Sequence, residues 1–147
     1  MTVDRSYIAR TTASRERLEG MVARLRDEDY GRDAGGGWTV SALFAHLAFW
    51  DRLTLERLSR WERDGFTATP VDADPINDAA RPGWLAIPGK AAVAEVVAAA
   101  RLTDDRMAKV RDDLISAIVG AGRLRAIDRS VHRNEHLDQI ERALTTH

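Results

Sequence analysis

The stretch "VSALFAHLAFWDRLTLERLSRW", residues 40–61, decides the fold. Turned through about 100° per residue, it sorts into two faces. Val40, Leu43, Phe44, Leu47, Trp50, Leu53, Leu55, Leu58 and Trp61 share one broad arc, and His46 lies on it. This predicts a long amphipathic helix with that arc buried. Thr39 is a good N-cap for it, and Gly65 a good C-terminal stop. The opposite side carries Ala42, Ala45, Ala48 and Phe49 among Arg52, Glu56 and Arg60. Such a side suits either a homodimer interface or a surface with one exposed aromatic.

The flanking sequence extends the same pattern. Ile8, Leu18, Met21, Val22 and Leu25 form an apolar stripe at helical spacing, predicting a helix over about residues 4–27. "DEDYGRDAGGGW" then reads as a loop, its glycines stopping the helix. Residues 65–89 hold all four prolines and read as a long irregular insert. Within it, "DPINDAA" suits a short helix begun by Asp74 with Pro75 at its first position. A third long helix starts near Lys90, with Val93, Val96, Val97, Ala100, Met107 and Val110 on its buried side. "LISAIVGAGRLRAI" fits no single element, although Gly120 and Gly122 favour a break. Asp128 caps a last helix running to about Leu144. No strand-like alternation persists. The expected architecture is all-α: one domain over residues 1–147, a four-helix bundle with an irregular insert between its second and third helices.

Composition narrows the function. The 147 residues are 44% hydrophobic and 31% charged, as in soluble globular proteins. A formal charge of −1 provides no electrostatic footprint for nucleic acid or an anionic membrane. No apolar run approaches the roughly 18–20 residues that span a bilayer. "MTVDRSYIAR" lacks the apolar core of a signal peptide, so a cytoplasmic location is expected. With no cysteine in the chain, a thiolate nucleophile has to come from a cosubstrate.

The remaining chemistry lies in the histidines. In "SVHRNEHLDQI", residues 130–140, His132 and His136 leave one side of the last helix a turn apart. Gln139, Ile140 and Ala143 lie close to them, and Arg129 and Arg133 interrupt the same arc. Two such imidazoles can hold one metal ion, and His46, also on an inner face, is the natural third ligand. A histidine pair at this spacing is weak evidence alone, and a single histidine on an apolar face is often a hydrogen-bonded core residue. The pattern leaves both readings open. His147, the terminal residue, is set aside.

These residues also carry a resemblance. "GGWTVSALFAHLAFWD", residues 36–51, resembles the signature of the DinB-like superfamily of metal-binding four-helix bundles. That superfamily includes the N-terminal domain of mycothiol-dependent maleylpyruvate isomerase. "VHRNEHLDQIERAL" is similar to its closing helix, and "INDAA" to a stretch between its second and third helices. The resemblance implies that His46, His132 and His136 ligate a divalent ion, zinc or nickel. It implies chemistry on a small electrophilic molecule, with a mycothiol-type thiol or ion-activated water as nucleophile.

Other residues have two readings each. Trp50 either walls the pocket or packs the core. Asn77 either orients substrate or caps the short helix. Arg133 either meets an anionic substrate or lays its stem across the core edge. Asp51 either orients a ligand histidine or pairs with an arginine. Asp128 reads as a cap rather than a ligand, and Glu135 turns away from the histidines. The rivals to a metal-dependent enzyme are a protein that sequesters a small molecule or metal, and a bundle whose histidines only hydrogen-bond in the core.

Overall fold

The computed structural model describes residues 2–145, so His147 lies outside the described residues. Six helices are present among them: α1 (Tyr7–Arg24), α2 (Val40–Asp64), α3 (Ala73–Leu85), α4 (Gly89–Met107), α5 (Asp112–Gly120) and α6 (Ser130–Thr145). The four long ones pack in a closed circuit, α1 touching α4 and α6, and α2 touching the same two. The all-α expectation holds. No described helix is long and apolar enough to cross a membrane.

Leu18, Met21, Leu43, Phe44, Leu47, Val96, Leu137 and Ile140 meet in one buried cluster. A second gathers Tyr7, Leu58, Trp61, Met107, Ile115, Ile118 and Ile127 towards the other end. The alanine side of α2 belongs to this interior. Ala42, Ala45 and Ala48 are buried with Ala92, Val96, Ala99 and Ala100 of α4, and α2 and α4 make the most extensive helix contact. Small residues on both helices let the backbones approach closely. The alanines of that side are therefore covered within the chain, and Phe49, 36% exposed, is left at its edge beside the exposed Arg52, Glu56 and Arg60.

Two segments depart from expectation. The presumed loop before α2 contains a small antiparallel pair, β1 (Asp33–Gly35) and β2 (Trp38–Thr39). Gly35, Gly36 and Gly37 all take positive φ, so the chain reverses there at little steric cost. The insert is not irregular throughout, since α3 occupies thirteen of its residues. Helix α3 begins at Ala73, one residue before the expected Asp74. Pro75 falls in its first turn, where an amide hydrogen has no intrahelical partner anyway. The ambiguous segment contributes α5, which stops at Gly120 as its glycines suggest.

Candidate metal centre

The local sequence aims His46 inward. Thr39 caps α2 by accepting a hydrogen bond from the Ala42 amide at 3.2 Å, as its sequence suggests. The preceding hairpin lays Trp38 edge-on to the His46 ring, centroids 5.2 Å apart. Trp84 of α3 meets the same ring at 5.2 Å and stacks on Trp38, and Trp50 lies 6.3 Å away. His46 is 3% exposed. The insert therefore supplies a wall of the site.

Helix α6 brings the other two imidazoles. Asp128 accepts the Ser130 amide at 3.0 Å and also holds Arg10, so it starts the helix and does not face the histidines. One turn apart, His132 and His136 stand with ring centroids 4.8 Å apart and planes perpendicular. His46 Nε2 lies 3.1 Å from His132 Nε2 and 3.1 Å from His136 Nε2. The ligand atoms of all three lie within 4.8 Å of one another. For comparison, zinc–nitrogen bonds of about 2.0–2.1 Å at a tetrahedral angle separate the nitrogens by about 3.3 Å. The donor set therefore fits a divalent ion of that size.

The electrostatics agree with that fit. Burial, followed by the His136 and Arg129 charges, lowers the His46 pKa to about 3. Burial and Arg129 lower that of His132 to about 2, and burial lowers that of His136. All three are neutral near pH 7 and keep a lone pair for a cation. Gln139 fixes the His136 tautomer: its amide nitrogen donates to the Ala34 carbonyl at 2.9 Å, turning its oxygen to His136 Nδ1 at 3.1 Å. Nδ1 then carries the hydrogen, and the Nε2 lone pair points into the cluster. At His132 the neighbour is Arg129, whose Nη2 lies 3.3 Å from Nδ1. A guanidinium only donates, so His132 Nδ1 accepts here and the neutral ring carries its hydrogen on Nε2; to ligate through Nε2, that hydrogen would have to move to Nδ1 and the Arg129 contact give way. His46 Nδ1 has no hydrogen-bond partner among the described residues.

A cavity of about 610 Å³ opens beside the cluster, within the range of small-molecule sites. Trp50 and Asn77 both line it, and the indole nitrogen donates to the Asn77 side-chain oxygen at 2.8 Å. Arg133 does not line it. Only 1% exposed, its guanidinium is held by Asp51 at 3.0 Å, by Asp104 at 3.1 Å, by the Ser14 hydroxyl and by the Thr11 carbonyl. A cation this deeply buried goes where carboxylates neutralise it, so the substrate-contact reading of Arg133 is corrected. Asp51 pairs with Arg129 at 3.0 Å as well, and so reaches His132 through an arginine rather than directly.

A family model described as the DinB superfamily matches residues 10–140. The chain belongs to the DinB superfamily. No curated protein and no solved structure matches it. This DinB-superfamily chain brings together His46, His132 and His136, the three residues singled out by the resemblance. The sequence places Gln139 beside the histidines but assigns no role to it, to Trp38 or to Trp84. Gln139 shares a helical face with the histidines, and that alignment was the available signal. Trp84 sits in a proline- and glycine-bounded run that gave none.

Proposed function

We propose that this DinB-superfamily protein is a divalent-metal-dependent enzyme acting on a small electrophilic molecule. A low-molecular-weight thiol of the mycothiol type, or water, serves as nucleophile. The observation that carries the reading is three neutral imidazoles meeting at 3.1 Å beside a cavity whose lining holds no cysteine, lysine, aspartate or glutamate. Apart from the imidazoles and the hydroxyls of Thr54 and Thr67 the wall offers no nucleophile of its own, which favours an attacking atom that arrives with a cosubstrate or from solvent. A bound zinc or nickel ion lowers the pKa of a thiol or water, supplying an anionic nucleophile near neutral pH.

The chain's residues do the rest. Trp38, Trp50 and Trp84 keep bulk water from the His46 side. Gln139 holds His136 with its lone pair inward. Asn77 uses its side-chain oxygen for Trp50, which leaves its amide hydrogens for an acceptor on the substrate.

The test has two stages. Protein purified without a polyhistidine tag is analysed for metal and compared with His46→Ala; about one ion per chain, absent from the variant, is expected. Zinc- and nickel-loaded protein is then assayed for consumption of electrophilic probes with and without thiol. Turnover abolished by His46→Ala supports the enzyme. A metal-loaded protein inert across the panel favours sequestration, and protein that retains no metal sinks both readings.

A further inference from the structure

The cavity has a second chemical side. Arg57, Arg123, Arg125 and Arg129 line it, and no carboxylate does. In a chain with 22 basic and 23 acidic residues and a net charge of −1, that concentration requires an explanation. Two of the four are neutralised from behind. Arg129 pairs with Asp51, and Arg125 lies 3.8 Å from Glu135. Arg57 and Arg123 have no carboxylate within 4.0 Å among the described residues.

Main-chain carbonyls hold them instead. Arg57 donates to the Thr69 carbonyl at 2.7 Å and Arg123 to the Ala68 carbonyl at 3.3 Å. Adjacent residues of one segment thus draw two like charges together. Partial burial, followed by repulsion from Arg123, lowers the Arg57 pKa. The Arg57 guanidinium also lies 5.0 Å over the Trp61 ring, which fixes the plane of its fork. Each guanidinium has five N–H donors, and one carbonyl leaves most of them unused.

We infer that Arg57 and Arg123 form an oxyanion subsite, so that the small molecule entering this cavity carries a carboxylate or phosphate-type group. Planar forks suit such groups through paired hydrogen bonds, and a bound oxyanion relieves the repulsion between the two cations. The subsite deepens the enzyme reading, since it names the substrate class of the same cavity. It does not require the metal ion to be present.

Calorimetry at low salt tests the subsite, with benzoate, phenyl phosphate and neutral benzamide as probes, on both zinc-loaded and EDTA-stripped protein. In the stripped protein at least one anion is expected to bind about 10-fold or more tightly than benzamide. Whichever anion is preferred separates carboxylate from phosphate recognition. Arg57→Gln and Arg123→Gln keep a donor for the loop carbonyl but lose the charge, and should each remove most of that preference. Arg57→Lys keeps the charge and should retain much of it, serving also if a glutamine variant fails to fold. Equal affinity for charged and neutral probes, or no measurable binding of either, overturns the subsite. So does equal loss in the Gln and Lys variants, which would mean the arginines only pin the 68–69 segment. Anion preference without zinc binding would sink the metal reading alone; zinc binding without anion preference would sink the subsite alone.

Discussion

His132 and Arg133 are neighbours on α6, yet they feed polar clusters of opposite character. Arg133 enters a closed one: Asp51, Asp104, Ser14 and the Thr11 carbonyl occupy its donors, Arg129 donates to the other oxygen of Asp51, and Arg15 shares Asp104 Oδ2 with Arg133. Burial works against its charge, but Asp51 and Asp104 outweigh that and raise its pKa. Burial raises the Asp104 pKa, and the same arginine opposes it. His132 enters an open cluster, in which three nitrogens face one another and His46 Nδ1 has no hydrogen-bond partner among the described residues. The closed cluster is complete as it stands. The open one could hold a cation among its facing nitrogens. That difference separates the residues that build the bundle from those the bundle is built to present.

Breaking the closed side should have the largest effect. Arg133→Leu leaves Asp51 and Asp104 buried without their shared cation, a loss of about 3–5 kcal/mol for a buried pair. Urea denaturation should show it as a lower midpoint with little change in slope. A stability change under about 1 kcal/mol would mean that the network is more hydrated than its burial indicates.

Opening the other side should cost metal first and the fold less. His46→Ala and His136→Ala are each expected to lower zinc affinity by more than the roughly 10–100-fold typical of changes outside the ligand sphere. Without metal their midpoints should fall by less than that of Arg133→Leu, His46→Ala more than His136→Ala because its ring is buried against three indoles. Competition with a chelating dye measures the first quantity and urea the second. Full-strength zinc binding by either variant would place the ion elsewhere.

Gln139→Leu tests the link between tautomer and affinity more gently. The Nδ1 hydrogen of His136 loses its acceptor, and zinc affinity should fall about 10-fold. Gln139→Glu, which keeps an acceptor and adds charge, should bind at least as tightly as the unsubstituted protein. If both variants match it, the Gln139 contact does not orient the ring.

The sequence carried the helices and the histidines well because both depend on local periodicity. A 3.6-residue repeat assigns Leu43, Leu47 and Leu58 to the interior and puts His132 and His136 on one side whatever else the chain does. What it carried poorly depends on partners distant in sequence. Arg133 lies in the histidine arc, and only the positions of Asp51 and Asp104 show that its charge is consumed inside. The Ala42–Ala45–Ala48 side looked free because alanine does not announce a partner, and α4 is that partner. Pro82 hid the extension of α3 beyond the short helix expected at "DPINDAA", and with it the Trp84 wall of His46. The arginines of the cavity come from α2 and the segment before α6, a pairing that no spacing rule connects.

The same contrast also shows itself through pH. In the metal-free protein the three histidines have pKa values below the ordinary 6.5, His46 at about 3 and His132 at about 2. As pH falls below 6.5, the unfolded chain takes up protons that the folded chain refuses. Stability is therefore fully present above about pH 7 and falls as pH drops from 6.5 towards the folded values. Well below 6.5 the slope approaches about 1.4 kcal/mol per pH unit for each refusing histidine. Between about pH 5 and 6.5 the ordinary carboxylates stay largely ionised, so urea midpoints in that window report chiefly the histidines, with Asp104, whose pKa burial raises, working in the opposite direction. Zinc should steepen the dependence, since the ion requires the same neutral rings and its release by acid adds to the loss. A flat profile across that window would mean that the imidazoles meet water freely and that burial does not hold them neutral.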